Sequence, residues 1–427
     1  MKLNITTLQN IALAIVCVWI MSPPLISIPA VRVLALLAII LWAVLEIIRP
    51  NGIFLRPTLP VLGALLYIAY DLMLWFEPGQ WDLLSHIQLY ILLTLLIVYE
   101  SRRNDPKSLT PVFWTMMLTL PIWWISTLRG FETFGSHAAR IVVRSSDDAT
   151  ELLQQGVGGY SLIYSTLVIM PILVLMIFRW RQFDMSSAPR ILRAFPRLFR
   201  LLPPVMLALS CVLVLRAGFT IAVIVMAATL VVSLMYLRPH SGLFFLGPLV
   251  ALLLVVVGQL FLSEIIQFLI PLTEGTSFVH KLRDLQMSLY VGDSTGSVAD
   301  RTERYARSIN SFLHNPIFGV LGNQGVGNHS AYLDNFAQRG LFFGALYMGL
   351  MLYLPIRMLR RLPGMLSMTG GVLTVMILFP FLNNVTMAIG VVLFIMFPVA
   401  CSMTREFENR RKRHGRTPSA SGMVSPA

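Results

Sequence analysis

Apolar runs of about 20 residues recur along this chain, and no other feature constrains its fold as strongly. The stretch "LALLAIILWAVLEII", from Leu34 to Ile48, is one of them. It does not alternate between apolar and polar positions, so a membrane β-barrel is excluded as the reading. A bilayer core about 30 Å thick needs roughly 20 apolar residues per helix. Composition agrees: 12% of the 427 residues are charged, 56% are hydrophobic, and the mean hydropathy is +0.74. A soluble domain carries about 25% charged residues. The expected fold is an all-α polytopic membrane protein.

About twelve transmembrane helices are expected, near 9–28, 30–48, 58–76, 83–99, 110–128, 160–178, 200–215, 217–237, 243–262, 338–356, 370–383 and 386–403. The first run, preceded by Lys2, reads as an uncleaved span because further spans follow at once. The net charge of +13 comes mainly from arginines in short loops. With the N-terminus inside, the cytoplasmic loops collect Arg49, Arg56, Arg102, Arg103, Lys107, the six arginines from Arg179 to Arg200, Arg238, Arg357, Arg360 and Arg361. Only this orientation satisfies the positive-inside rule. Both termini are then cytoplasmic. Residues 1–404 form a single transmembrane domain, and 405–427 form a basic, Ser/Pro/Gly-rich tail suited to anionic lipid surfaces. Two long loops, about 129–159 and 263–337, fall on the far side.

The composition argues against nucleic-acid binding, since no basic stretch is attached to a soluble domain. Cys17, Cys211 and Cys401 lie far apart inside apolar runs, so neither a disulfide nor a zinc site is indicated. There is no phosphate-binding Gly-x-x-x-x-Gly-Lys-Ser/Thr loop and no His-Glu-x-x-His motif. Asp147 and Asp148 are a weak metal pair. The expectation is therefore no metal and no cofactor.

Three groups of residues break the local pattern. Arg216, in "VLRAGF", is the only charge between Arg200 and Arg238. It reads either as an interfacial arginine that snorkels or as one that faces a cavity and holds an anion. The segment 297–320 reads as an amphipathic helix, with Asp300 as N-cap, Glu303 as its capping-box partner and Pro316 as its stop. Tyr305, Ile309, Phe312 and Leu313 would form its apolar face. Arg301, Arg304 and Ser308 lie along a neighbouring face, and an arginine there could meet phosphate oxygens. A solvated interfacial face is the plainer account. The third group is "GVGNHSAYLDNFAQRGLFFG", Gly325 to Gly344. His329 follows a glycine-rich turn and could take a proton from a hydroxyl. Asp334 and Arg339 are possible substrate-binding partners.

These residues resemble the O-antigen polymerase and O-antigen ligase superfamily of bacterial envelopes. The resemblance covers about residues 155–345 and rests on Arg301 and Tyr305, "NPIFGV" from Asn315 to Val320, and "HSAYLDNFAQRG" with His329, Leu333 and Gly340. "VLRAGF" and "GVGGYSLIYSTLVIMP", from Gly156, add to it. Ser330, Gln338 and Leu215 depart from the common pattern, and the His-Ser-x-x-Leu-Asp form is more similar to the polymerases. The resemblance implies a GT-C-like glycosyltransferase of the bacterial inner membrane, working in a large periplasmic loop between spans 9 and 10. Its substrates would be undecaprenyl-diphosphate-linked glycans, with flippase and chain-length regulator proteins as partners. Arg216 and Arg301, or Arg304, would bind the diphosphate, and His329 would be the catalytic residue. Two alternatives stay open: a ligase that moves the glycan to lipid A-core, and a transporter or flippase of the lipid-linked oligosaccharide. The latter needs charges lining a path through several spans, and Asp71 and Arg216 are among the few candidates.

Overall fold

The computed structural model describes residues 4–74, 83–135, 137–142, 146–184, 186, 188–237, 296–321 and 325–404, with isolated positions between 267 and 283. Its helices are α1 Ile5–Met21, α2 Pro23–Ser27, α3 Pro29–Ile48, α4 Leu59–Leu74, α5 Leu83–Ser101 and α6 Thr110–Phe134. Next come α7 Ala138–Ile141, α8 Asp147–Gln154, α9 Tyr160–Phe178, α10 Arg190–Ala194, α11 Pro196–Ala217 and α12 Thr220–Met235. The last four are α13 Gly296–His314, α14 Ala331–Arg361, α15 Leu366–Leu382 and α16 Met387–Ser402. Among the described residues, six helices are long and apolar enough to cross a membrane, and five shorter apolar helices accompany them. All eleven fall on expected spans. The run at 243–262 and the tail 405–427 lie outside the described residues.

Helix α9 is the centre of the bundle. Every residue from Leu162 to Met176 is buried, as expected for a helix that is apolar on all faces. Two of its hydroxyl side chains turn back on their own helix: Ser165 donates to the Leu162 carbonyl (2.7 Å) and Thr166 to that of Ile163 (2.6 Å). Helices α11, α12, α15 and α16 surround it. Helix α3 lies at the rim. Val33, Leu37, Ile40, Val44 and Ile47 are exposed along it, an apolar face that suits lipid rather than water.

Several boundaries differ from the sequence expectation. The first span stops at Met21, not residue 28, because Pro23 and Pro24 cannot donate to a continuing helix and restart the chain as α2. The span expected at 338–356 begins at Ala331, capped by the Ser330 hydroxyl, which accepts from the Leu333 N–H (3.2 Å). Asp300 is not an N-cap, since α13 starts four residues earlier at Gly296 and no helix breaker intervenes.

Arginines at one end of the bundle, expected as loop charges, are paired instead. Glu46 and Glu100 are buried there. Glu46 accepts from the Gln9 amide (2.9 Å) and the Ile53 N–H (3.1 Å), with Arg49 at 3.6 Å. Glu100 meets Thr58 (2.7 Å), Tyr353 (3.0 Å) and Arg357 (3.1 Å). Removing water from a carboxylate is costly unless such partners replace it.

Candidate functional site

The opposite end of the bundle carries the motif residues, and its architecture starts from a break in a helix. At Gly340, α14 leaves helical geometry with φ 72° and ψ −174°. An uninterrupted helix would pair the Leu341 N–H with the Ala337 carbonyl. Here Leu341 donates to the Pro316 carbonyl (2.8 Å), while the freed carbonyls of Ala337 and Gln338 accept from Val320 and Leu321 (2.9 Å each). The "NPIFGV" loop is thus hydrogen-bonded into the gap in α14. Two glycines permit the approach. A Cβ on Gly340 would stand 2.0 Å from the Ile317 carbonyl oxygen, and one on Gly319, also at φ 72°, would stand 2.4 Å from the Gln338 carbonyl carbon. Gly340→Ala is expected to cost at least about 1–3 kcal/mol from the left-handed backbone alone, with the steric clash added. Thermal unfolding of the purified protein checks this, and an unchanged midpoint would remove the interlock from the account.

The turn before α14 is fixed just as closely. Asp334 is buried and accepts from the Ser308 hydroxyl (2.6 Å) and the Ser330 N–H (2.8 Å). Ser308 in turn accepts from the Gly327 N–H (2.9 Å). A serine on α13 and an aspartate on α14 therefore clamp residues 327–330 between them. Asn328 takes φ 54°, and His329 follows it. The His329 ring lies 6.1 Å from that of Tyr305, whose hydroxyl donates to the Leu382 carbonyl (3.0 Å).

His329 lines a cavity of about 1210 Å³ at this end of the bundle. The walls come from α1–α3, α5, the segment from α7 to the start of α9, Phe219, and the α15–α16 connection. Its apolar lining includes Trp19, Ile20, Met21, Ile26, Leu36 and Ile87. Its polar lining includes Asn328, His329, Asn383, Asn384, Tyr160 and Tyr164. The stretch that begins at Gly156 supplies the wall from Gly158 to Leu162. Such an amphipathic recess suits a ligand with both a hydrocarbon and a polar part.

The expected site residues separate. Among those whose side chains are described, only His329 is on the cavity wall. Arg216 is exposed in the last turn of α11, before the left-handed Gly218 cap, and does not line it. The arginines that do are Arg32 and Arg140. Arg140 donates to the Gly218 carbonyl (3.3 Å) and lies over the Phe219 ring, 5.8 Å from its centroid. Its place among the loop residues 129–159 gave no reason to single it out. Arg301 belongs to the backbone of α13, and its side chain lies outside the described residues. Arg304 is half-buried one turn along α13.

Asp334 and Arg339, read as possible substrate ligands, are occupied by the protein itself. Arg339 is buried and pairs with the fully buried Asp71 through its Nη2 and through Nε (3.2 Å). Asp71 also accepts from the Tyr90 hydroxyl (2.8 Å) and contacts His86 Nδ1 at 2.7 Å. The Arg339 guanidinium lies 5.4 Å from the Tyr67 ring centroid. These contacts tie α4 and α5 to α14, one residue before its break.

On α13, Tyr305 and Phe312 turn inward, Phe312 reaching the Phe336 ring at 5.6 Å. Ile309 and Leu313 are exposed, as are Ile317 and Phe318 of the inserted loop. The expected four-residue apolar face is therefore split between protein and surroundings.

The chain matches no family model and no curated protein.

Proposed function

We propose that this chain is a membrane glycosyltransferase that polymerises undecaprenyl-diphosphate-linked oligosaccharide repeats on the periplasmic face of a bacterial inner membrane. The observation that carries this reading is the cavity lined by His329 and Arg140 together with the apolar side chains of Trp19, Met21 and Leu36. A lipid diphosphate sugar has these same three parts. In this reading the eleven described apolar helices and the run at 243–262 make twelve spans of a GT-C-like enzyme, with both termini cytoplasmic. The acceptor hydroxyl gives its proton to His329 and attacks the anomeric carbon of the donor. The glycosidic bond forms as the bond to the diphosphate breaks, and arginines receive the leaving charge. Arg140, on the cavity wall, is the candidate the geometry favours for that task, ahead of Arg301 and Arg304 on α13 and of Arg216, which lies off the wall. The interlock of "NPIFGV" with Gly340 supports the reading by giving the shared spacing of the polymerases and ligases a physical reason.

A deletion strain tests it. The expected glycan gel shows single repeat units on the lipid core, restored to polymer by the gene supplied in trans. Full-length polymer left on its lipid carrier would instead identify a ligase, and repeats stranded on the cytoplasmic leaflet would identify a flippase.

A further inference from the structure

We infer that the part of the cavity wall formed by Tyr160, Phe219, Gln88 and Asn384 is a carbohydrate subsite, which takes the sugar joined to the lipid diphosphate. This rests on the polymerase reading and assigns the glycan to particular residues. The aromatic part is built before any ligand arrives. Tyr160 stacks on Tyr164 with ring centroids 5.4 Å apart and planes 2° apart, and Phe219 lies 4.5 Å from Tyr160. Tyr164 is fixed in turn by the Phe379 ring at 4.6 Å and by the Asn383 amide, which donates to its hydroxyl (2.8 Å). Phe219 is buried, so Tyr160 is the half-exposed member of the pair.

The polar part is uncharged. Gln88 and Asn384 line the same cavity. Asn384 uses one amide hydrogen on the Asn328 carbonyl (3.2 Å) and keeps its other donor and its oxygen. A sugar ring matches this pairing. Its C–H faces pack on aromatic rings, and adjacent hydroxyls match an amide that offers a donor beside an acceptor. Arg140 lies over Phe219 at 5.8 Å, so an anion at its guanidinium would sit next to a ring on Tyr160. Phosphate and first sugar are joined in just that order in a glycosyl diphosphate.

The test compares two lipids by native mass spectrometry of the full chain in lipid nanodiscs. One is undecaprenyl diphosphate, and the other is the same lipid carrying one N-acetylhexosamine. The wild-type protein is expected to prefer the sugar-bearing lipid. Tyr160→Ala is expected to weaken binding of that lipid about tenfold, from the loss of stacking, and to leave the bare lipid unchanged. Asn384→Ala, at an exposed position that does not threaten folding, is expected to shift the preference in the same direction. Equal wild-type affinity for both lipids, or equal loss of both in the variants, overturns the subsite. Binding of neither lipid by the wild-type protein overturns the polymerase reading itself.

Discussion

Asp71→Ala is expected to destabilise the folded protein by about 3–5 kcal/mol, the cost of leaving one member of a buried ion pair without its partner. Arg339 is buried, and its Nε and Nη2 both point at the Asp71 carboxylate. His86 and Tyr90 lose their shared acceptor as well. The loss falls one residue before Gly340, where α14 depends on the inserted loop for its hydrogen bonds. Heat should therefore release the α13–α14 region first. Thermal unfolding in detergent measures the shift, and limited proteolysis locates it. Asp71→Leu combined with Arg339→Met should recover most of the stability, because an apolar pair of similar volume avoids the unpaired charge. A change below about 1 kcal/mol in Asp71→Ala would mean that the pair is solvated and does not hold the helices together.

The spans were legible because hydropathy over about 20 residues is a local property, and a helix in lipid must satisfy its own backbone. The break at Gly340 was not. "NFAQRGLFFG" carries no proline, and a lone glycine in a helical pattern does not announce that another loop will insert beside it. That insertion depends on Val320, Leu321 and Pro316, some twenty residues upstream. The same limit explains the site. His329 stood out as a titratable residue in a glycine-rich turn, and the fold brings it to the cavity. Arg339 and Asp334 looked equally chemical, yet their partners Asp71 and Ser308 lie far away in sequence and absorb them into the scaffold. Arg140 was missed for the opposite reason. An arginine in a long polar loop looks solvated until Phe219 and the Gly218 carbonyl are placed against it.

His329→Ala is expected to lower polymer formation by roughly 100- to 10,000-fold, the range for removing a positioned general acid or base. Folding should survive. His329 is half-buried on the cavity wall, whereas the clamp around it runs through the side chains of Ser308 and Asp334 and the backbone N–H groups of Gly327 and Ser330. Ser308→Ala offers the contrast. It removes one partner of the buried Asp334, so it should lower the unfolding midpoint along with activity, at a cost of about 1–3 kcal/mol. A role in chemistry therefore predicts a split: His329→Ala loses rate at wild-type stability, and Ser308→Ala loses both. Arg301→Ala should resemble the histidine variant if Arg301 holds the leaving diphosphate, since one lost electrostatic donor can cost about 100- to 1000-fold in rate. Complementation of the deletion strain, read on a glycan gel beside thermal unfolding of each purified variant, separates these outcomes. Full-length polymer from a stable His329→Ala protein would remove the imidazole from the reaction. The cavity would then keep only the binding role proposed for its arginines and aromatic wall, and the proposed reaction would need another group to activate the acceptor.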